Sequence, residues 1–76
     1  MPIAAALLMT IPHPSVEGFD YNVFDELNQE RFGGALAVTT EPGGEIQILR
    51  PDDMNPRDRE DAYALLEQAF IRGAHM

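Results

Sequence analysis

Side chains that could act as nucleophiles, general bases or metal ligands are few in this sequence. Its 76 residues include no Cys and no Lys, and all 5 basic residues are Arg. The single Ser is Ser15, and the histidines His13 and His75 lie near opposite ends of the chain. Without Cys or Lys there can be no thiolate nucleophile, no Cys-based zinc site and no Schiff base. We therefore expect no catalytic residue, no metal site and no cofactor, and hence a protein that is not an enzyme.

Carboxylates are the reactive groups that the sequence has in excess, with 13 Asp and Glu against 5 Arg and a net charge of -8. One cluster lies between residues 52 and 61, and its charged members are the predicted contacts with a partner: Asp52, Asp53, Arg57, Asp58, Arg59, Glu60 and Asp61. A second cluster is formed by Glu17, Asp20, Asp25, Glu26 and Glu30. Carboxylates so arranged could imitate the phosphates of a nucleic acid and occupy a basic groove on another protein. They could equally be a solvated surface, in which Asp58 complements the positive end of a helix.

The excess of negative charge restricts the class of partner. Nucleic acids are bound through clustered Lys and Arg that displace counterions from phosphates, and this sequence has no such cluster. The field of the chain would repel nucleic acids and anionic membranes, and it would attract a basic protein surface. We therefore expect the partner to be a larger protein with a basic surface, with no direct nucleic-acid binding and no membrane binding.

The N-terminal segment 1–10 is apolar and belongs to the longest apolar run, residues 2–11. This run is too short to span a bilayer, which takes about 20 residues. It also lacks the basic residues that precede the apolar part of a secretory signal. We expect it to be a core strand or a short helix, and we expect a cytoplasmic protein.

A helix is predicted over residues 22–32, where apolar side chains recur at helical spacing. Asp20 or Asn22 can serve as its N-cap. The pair 33–34, Gly-Gly, supplies the left-handed conformation that commonly ends a helix.

Residues 35–40 and 45–50 are predicted to be two strands of a β-hairpin, since each alternates apolar and polar side chains. The connection reads Glu-Pro-Gly-Gly, which favours a type II turn with Gly43 at positive φ. Antiparallel pairing then places the apolar side chains of both strands on one face.

A second helix is predicted over residues 56–72, with Asn55 as N-cap and Pro56 at the first helical position. Residues 73–76 would form a flexible tail. The whole chain is then a single small α+β domain, in which a helix, a β-hairpin and a C-terminal helix pack on a short antiparallel sheet. The N-terminal segment could add one further strand.

Residues 23–36 read VFDELNQERFGGAL and resemble the first helix and following strand of SprT-like zinc metalloproteases, with their LN-x-x-x-FGG-x-L pattern. The resemblance implies that a later helix carries H-E-x-x-H, in which two histidines bind zinc and the glutamate is the general base. The corresponding segment 65–72 reads LLEQAFIR and contains no His. The metalloprotease chemistry is therefore absent, and no functional residue of that family is transferred to this chain.

These observations predict a non-enzymatic protein that docks on a larger, basic protein as an inhibitor or regulator, of the phage anti-defence or antitoxin type. Its contacts would come from the cluster between residues 52 and 61. The alternative is a structural subunit or homo-oligomer, such as a homodimer, that pairs through the apolar segment 3–11 and the edge of the hairpin.

Overall fold

The structure is a computed structural model that describes residues 5–74, and it has the predicted α+β class. Its elements, in chain order, are β1 (Ala5–Ile11), a 3₁₀ helix (His13–Gly18), α1 (Tyr21–Phe32), β2 (Ala37–Thr40), β3 (Ile46–Pro51) and α2 (Pro56–Ala74). The helix, hairpin and C-terminal helix are confirmed in the predicted arrangement. The described part of the apolar N-terminal segment provides the additional strand, β1, and residues 1–4 of that segment lie outside the described part of the chain.

The three described strands form one sheet in the order β1-β3-β2, and both neighbours of β3 are antiparallel to it. The N-terminal strand is therefore parallel to the first strand of the hairpin and separated from it by the second. The segments that a homo-oligomer would use, the N-terminal strand and the hairpin edge, consequently lie on opposite edges of the sheet.

One face of the sheet is covered by both α-helices. Ile46 and Ile48 of β3 point into the core and are at most 1% exposed. Phe24 of α1 and Leu65 and Leu66 of α2 are equally buried and belong to the same apolar cluster. The sheet and the helices thus form two layers with a single core between them, as expected for so short a chain.

A β-bulge interrupts the pairing of β1 with β3. Leu7 lies opposite Leu49 and Met9 lies opposite Ile48, so Leu8 is an extra residue without a partner in the register. The side chain of Leu8 is buried in the core.

The hairpin turn differs from the predicted type II turn. Gly44, with φ of 88°, has the left-handed conformation, whereas Gly43 has no positive φ. The Gly44 N–H donates to the Glu41 carbonyl (2.9 Å), and the Glu41 N–H donates to the Glu45 carbonyl (2.8 Å). The connection is therefore a three-residue loop that ends in a left-handed glycine. The ring of His13 lies against Gly44 where a Cβ atom would be, so a larger residue at this position would also have to displace that ring.

The ends of α1 follow local sequence signals. The Asp20 carboxylate accepts hydrogen bonds from the N–H groups of Asn22 (3.0 Å) and Val23 (3.2 Å), which identifies Asp20 as the N-cap. Gly33, with φ of 60°, ends the helix in the predicted left-handed conformation.

The second helix begins as predicted and ends later. The Asn55 side chain accepts a hydrogen bond from the Asp58 N–H (2.8 Å), as an N-cap does. The helix continues to Ala74. Within it, Gly73 packs directly on the backbone of Gly18, where any Cβ would collide. Gly73 therefore permits a close approach inside the helix and does not end it. Of the predicted tail, residues 75–76 lie outside the described part of the chain.

Candidate protein interface

The predicted partner contacts lie at the junction of β3 and α2. Asp52 and Asp53 occupy the turn after β3, and both are exposed. The first two turns of α2 carry the other five charged residues of the cluster. The structure therefore keeps the cluster together because its members are close in sequence.

Two members of this cluster point inward. Asp58 is half-buried, and its carboxylate accepts a hydrogen bond from the Asn55 amide (3.0 Å), which completes a reciprocal cap at the start of α2. Arg59 is half-buried, and its Nε atom is buried without a hydrogen-bond partner. The remaining members are exposed and free of such roles: Asp52, Asp53, Arg57, Glu60 and Asp61.

Part of the second acidic cluster lies on the same side of the molecule. Asp25, Glu26 and Glu30 are exposed on α1, which packs beside α2 over the sheet. The groove between the helices is lined by Glu26 and Arg31 of α1 and by Arg72 of α2, among others. We call the exposed surface of the two helices and the turn before α2 the acidic side.

The strand residues on the opposite face of the described sheet carry no charge. Residues paired across antiparallel strands share a face, and Leu49 and Gln47 of β3 alternate with the two buried isoleucines. Their face, which we call the open face, comprises Ala5, Leu7, Thr10, Ala37, Thr39, Gln47, Leu49 and Pro51. Exposed carboxylates are therefore concentrated on the helices and the turn before α2, whereas the open face has charged residues only at the end of the hairpin, where Glu41 and Glu45 continue the alternation of its strands.

A cleft of about 390 Å³ lies at the edge of the acidic side, between the end of α1 and the turn before α2. Its lining includes Phe32 and Met54, with Arg31, Asp53 and Asp58 around them. A basic side chain from a partner could enter between the two carboxylates, although Arg31 lowers the negative potential there.

Two searches of the described residues bear on other kinds of site. Within residues 5–74, no group of three or more His, Cys, Asp or Glu is placed to hold a metal ion. No helix in that range is long and apolar enough to cross a membrane.

Sequence reasoning missed the surface beside β1. The Tyr63 hydroxyl of α2 donates to the carbonyl of Leu8 (2.9 Å), although Tyr63 is still 45% exposed. In the sequence, Tyr63 belongs to an apolar stripe of helical spacing with Ala62, Leu66, Ala69 and Phe70, which predicts a position in the core. The signal in the sequence that could have indicated its exposure is its position at the margin of the apolar stripe, directly after Ala62.

Comparisons with protein-family models, with curated proteins and with solved structures find no match to this chain. No family model therefore supports the resemblance of residues 23–36 to the SprT-like proteases.

Proposed function

We propose that this protein is a non-enzymatic inhibitor or regulator that acts in the cytoplasm by docking its acidic side on a larger protein with a basic surface. The observation that carries the proposal is the separation of charge between the helices and the open face. A partner that approaches the helices meets exposed carboxylates on both of them, including Glu26, Glu30 and Asp61.

The rigidity of the acidic side supports this function. Most of its carboxylates stand on two helices that share one core, so little backbone entropy is lost when a partner binds them. A net charge of -8 also accelerates the encounter with a basic surface at low ionic strength.

The class of partner follows from charge complementarity. Proteins that bind nucleic acids typically have basic grooves, and a set of fixed carboxylates can occupy such a groove in place of phosphates. We therefore propose a nucleic-acid-handling protein as the target, with phage anti-defence inhibitors and antitoxins as the functional type.

The test is quantitative capture of partners by the tagged full-length chain from a lysate of its source, at low and high salt. We expect a basic protein that is recovered at low salt and lost at high salt. Replacement of Asp52, Asp53 and Asp61 by Arg should reduce its recovery by roughly tenfold or more, because exposed carboxylates become repulsive. Circular dichroism should be unchanged, since all three side chains are exposed.

The matched control replaces Glu17, Glu41 and Glu45 by Arg, which changes the net charge equally but lies at the 3₁₀ helix and the hairpin. It should retain most of the binding. Docking through the acidic side would be refuted if the variant with Asp52, Asp53 and Asp61 replaced recovered as much partner as the wild type. It would also be refuted if the control variant lost as much partner as that variant.

A further inference from the structure

The open edge of β1 is the longest unprotected edge of the described sheet. β1 pairs only with β3, and its seven residues, AALLMTI, include no charged residue and no proline. The other edge, β2, has only four residues. Proteins usually protect an exposed edge with Lys, Pro or a covering segment, because its free N–H and C=O groups can pair with another strand. On β1 the bulge at Leu8 is one such device, and the Tyr63 hydroxyl occupies the Leu8 carbonyl, which leaves the other residues of the strand edge unprotected among the described residues.

Two exposed apolar side chains border this edge. Leu7 is 52% exposed on the open face, and Tyr63 is 45% exposed on α2. The hydrogen bond from Tyr63 to the Leu8 carbonyl places them on either side of the middle of β1. Exposed tyrosines beside a strand edge are common anchors of protein interfaces.

A row of three side chains runs along the flank of α2 beside β1. Arg59, Tyr63 and Glu67 are successive i,i+4 neighbours and therefore lie on one side of the helix. The opposite flank contacts α1, since Gln68 and Arg72 line the groove between the helices. We call Arg59, Tyr63 and Glu67 the edge row.

The charges of the edge row are complementary to those of a second copy related by a two-fold axis, because Arg59 and Glu67 lie equally far before and after Tyr63. Leu8 is the middle residue of β1, and Tyr63 is bound to it. A two-fold axis at this point would place two copies of α2 side by side and antiparallel. Each residue before Tyr63 in one copy would then face the residue equally far after Tyr63 in the other copy. Arg59 would then face Glu67 of the partner subunit, and the same contact would occur twice.

We propose that β1 pairs with β1 of a second copy of this chain, antiparallel about a two-fold axis near Leu8, to form a six-stranded sheet. Like charges oppose contacts through most of the acidic side, whereas β1 is uncharged and the edge row, at the margin of the acidic side beside β1, is self-complementary. The edge row is part of the acidic side, and Arg59 is also one of the predicted partner contacts, but Asp52, Asp53 and Asp61, whose replacement tests the proposed function, lie outside the edge row, so the two proposals can fail separately.

The first measurement is the mass of the full-length chain by sedimentation equilibrium over a range of concentrations. We expect a dimer, with twice the chain mass of 8.4 kDa, that dissociates on dilution. A monomer that persists at millimolar concentration overturns the proposal.

Charge exchange then tests which surface forms the dimer. Glu67→Arg and Arg59→Glu should each raise the dissociation constant about tenfold, because like charges then face each other twice. The double variant should restore the wild-type value to within about threefold, since the pairs are reversed rather than removed. Glu67 is exposed, so its variant should fold normally even if Arg59→Glu does not.

Arg72→Glu is the matched control, because it makes the same change of charge on the opposite flank of α2 and should leave the dimer intact. A dimer that is unaffected by both single variants is formed by another surface, such as the β2 edge, and overturns the proposal. The same holds if the double variant stays as weak as the single ones.

Discussion

At the scale of single residues, Asn28 is the clearest case of a side chain that the fold depends on. It is the buried polar residue of the described core, only 6% exposed. Its amide group donates to the Leu36 carbonyl (3.0 Å) and accepts from the Leu36 N–H (3.1 Å). This pair of bonds ties the end of α1 to the chain just before β2, so it sets where the hairpin begins.

Replacement of Asn28 by Ala should lower the free energy of unfolding by about 3 kcal/mol, because two buried backbone groups of Leu36 lose their partners. Urea unfolding followed by circular dichroism measures the change. Glu30→Ala, on the exposed side of the same helix, is the control and should alter the stability by less than about 0.5 kcal/mol. Similar losses in both variants would contradict the role of the Leu36 hydrogen bonds.

At the scale of elements, the helices follow their local signals, and the hairpin turn does so only in part. Asp20 and Asn55 cap helices because each side-chain oxygen reaches N–H groups two or three residues along the chain. The sequence Glu-Pro-Gly-Gly likewise fixes where the hairpin turns. It is Gly44 and not Gly43 that takes positive φ, and the ring of His13, which is distant in sequence, lies against Gly44.

The two glycines of the turn should therefore respond oppositely to substitution. Gly44→Ala should lower the free energy of unfolding by about 2 kcal/mol or more, because φ is 88° and the new Cβ meets the ring of His13. Gly43→Ala should be neutral or slightly stabilising, since its φ is not positive and its Cβ would make an ordinary contact, 3.5 Å from Glu45 Oε1. Thermal unfolding of both variants measures the difference. A larger loss of stability at Gly43 than at Gly44 would instead support the type II turn predicted from the sequence, in which Gly43 has positive φ.

At the scale of the whole molecule, the distribution of charge is the property that governs behaviour. Exposed carboxylates are concentrated on the helices, whereas the strand residues of the open face are uncharged. Stability and association at the acidic side should therefore both depend on ionic strength.

The free energy of unfolding should rise by roughly 1 kcal/mol between low and physiological salt, because screening weakens the repulsion among the carboxylates. Urea unfolding in increasing NaCl, at a concentration where the chain is monomeric, measures this. The variant with Glu17, Glu41 and Glu45 replaced by Arg has a net charge nearer zero and should show a smaller salt effect. Stability that falls with added salt in the wild type would contradict net repulsion.

The sequence by itself determined the α+β class, the two helices with their N-caps, the hairpin and its turn region, and the charged cluster between residues 52 and 61. Each of these depends on contacts between residues close along the chain, where periodicity, capping side chains and turn glycines are sufficient signals. It also established the composition, without Cys or Lys, on which the expectation of a non-enzymatic protein rests.

Only the tertiary structure decided the strand order, the close packing of Gly73 on Gly18, and the surface beside β1. The hydrogen bond from Tyr63 to Leu8 joins residues 55 positions apart. Placing β3 between β1 and β2 likewise depends on which strands bury their faces together under the helices. Such choices follow from the free energy of packing the complete core, to which local spacing contributes almost nothing. Acidic residues were thus predictable as a cluster, whereas their separation from an uncharged edge emerged only when both helices packed on the same face.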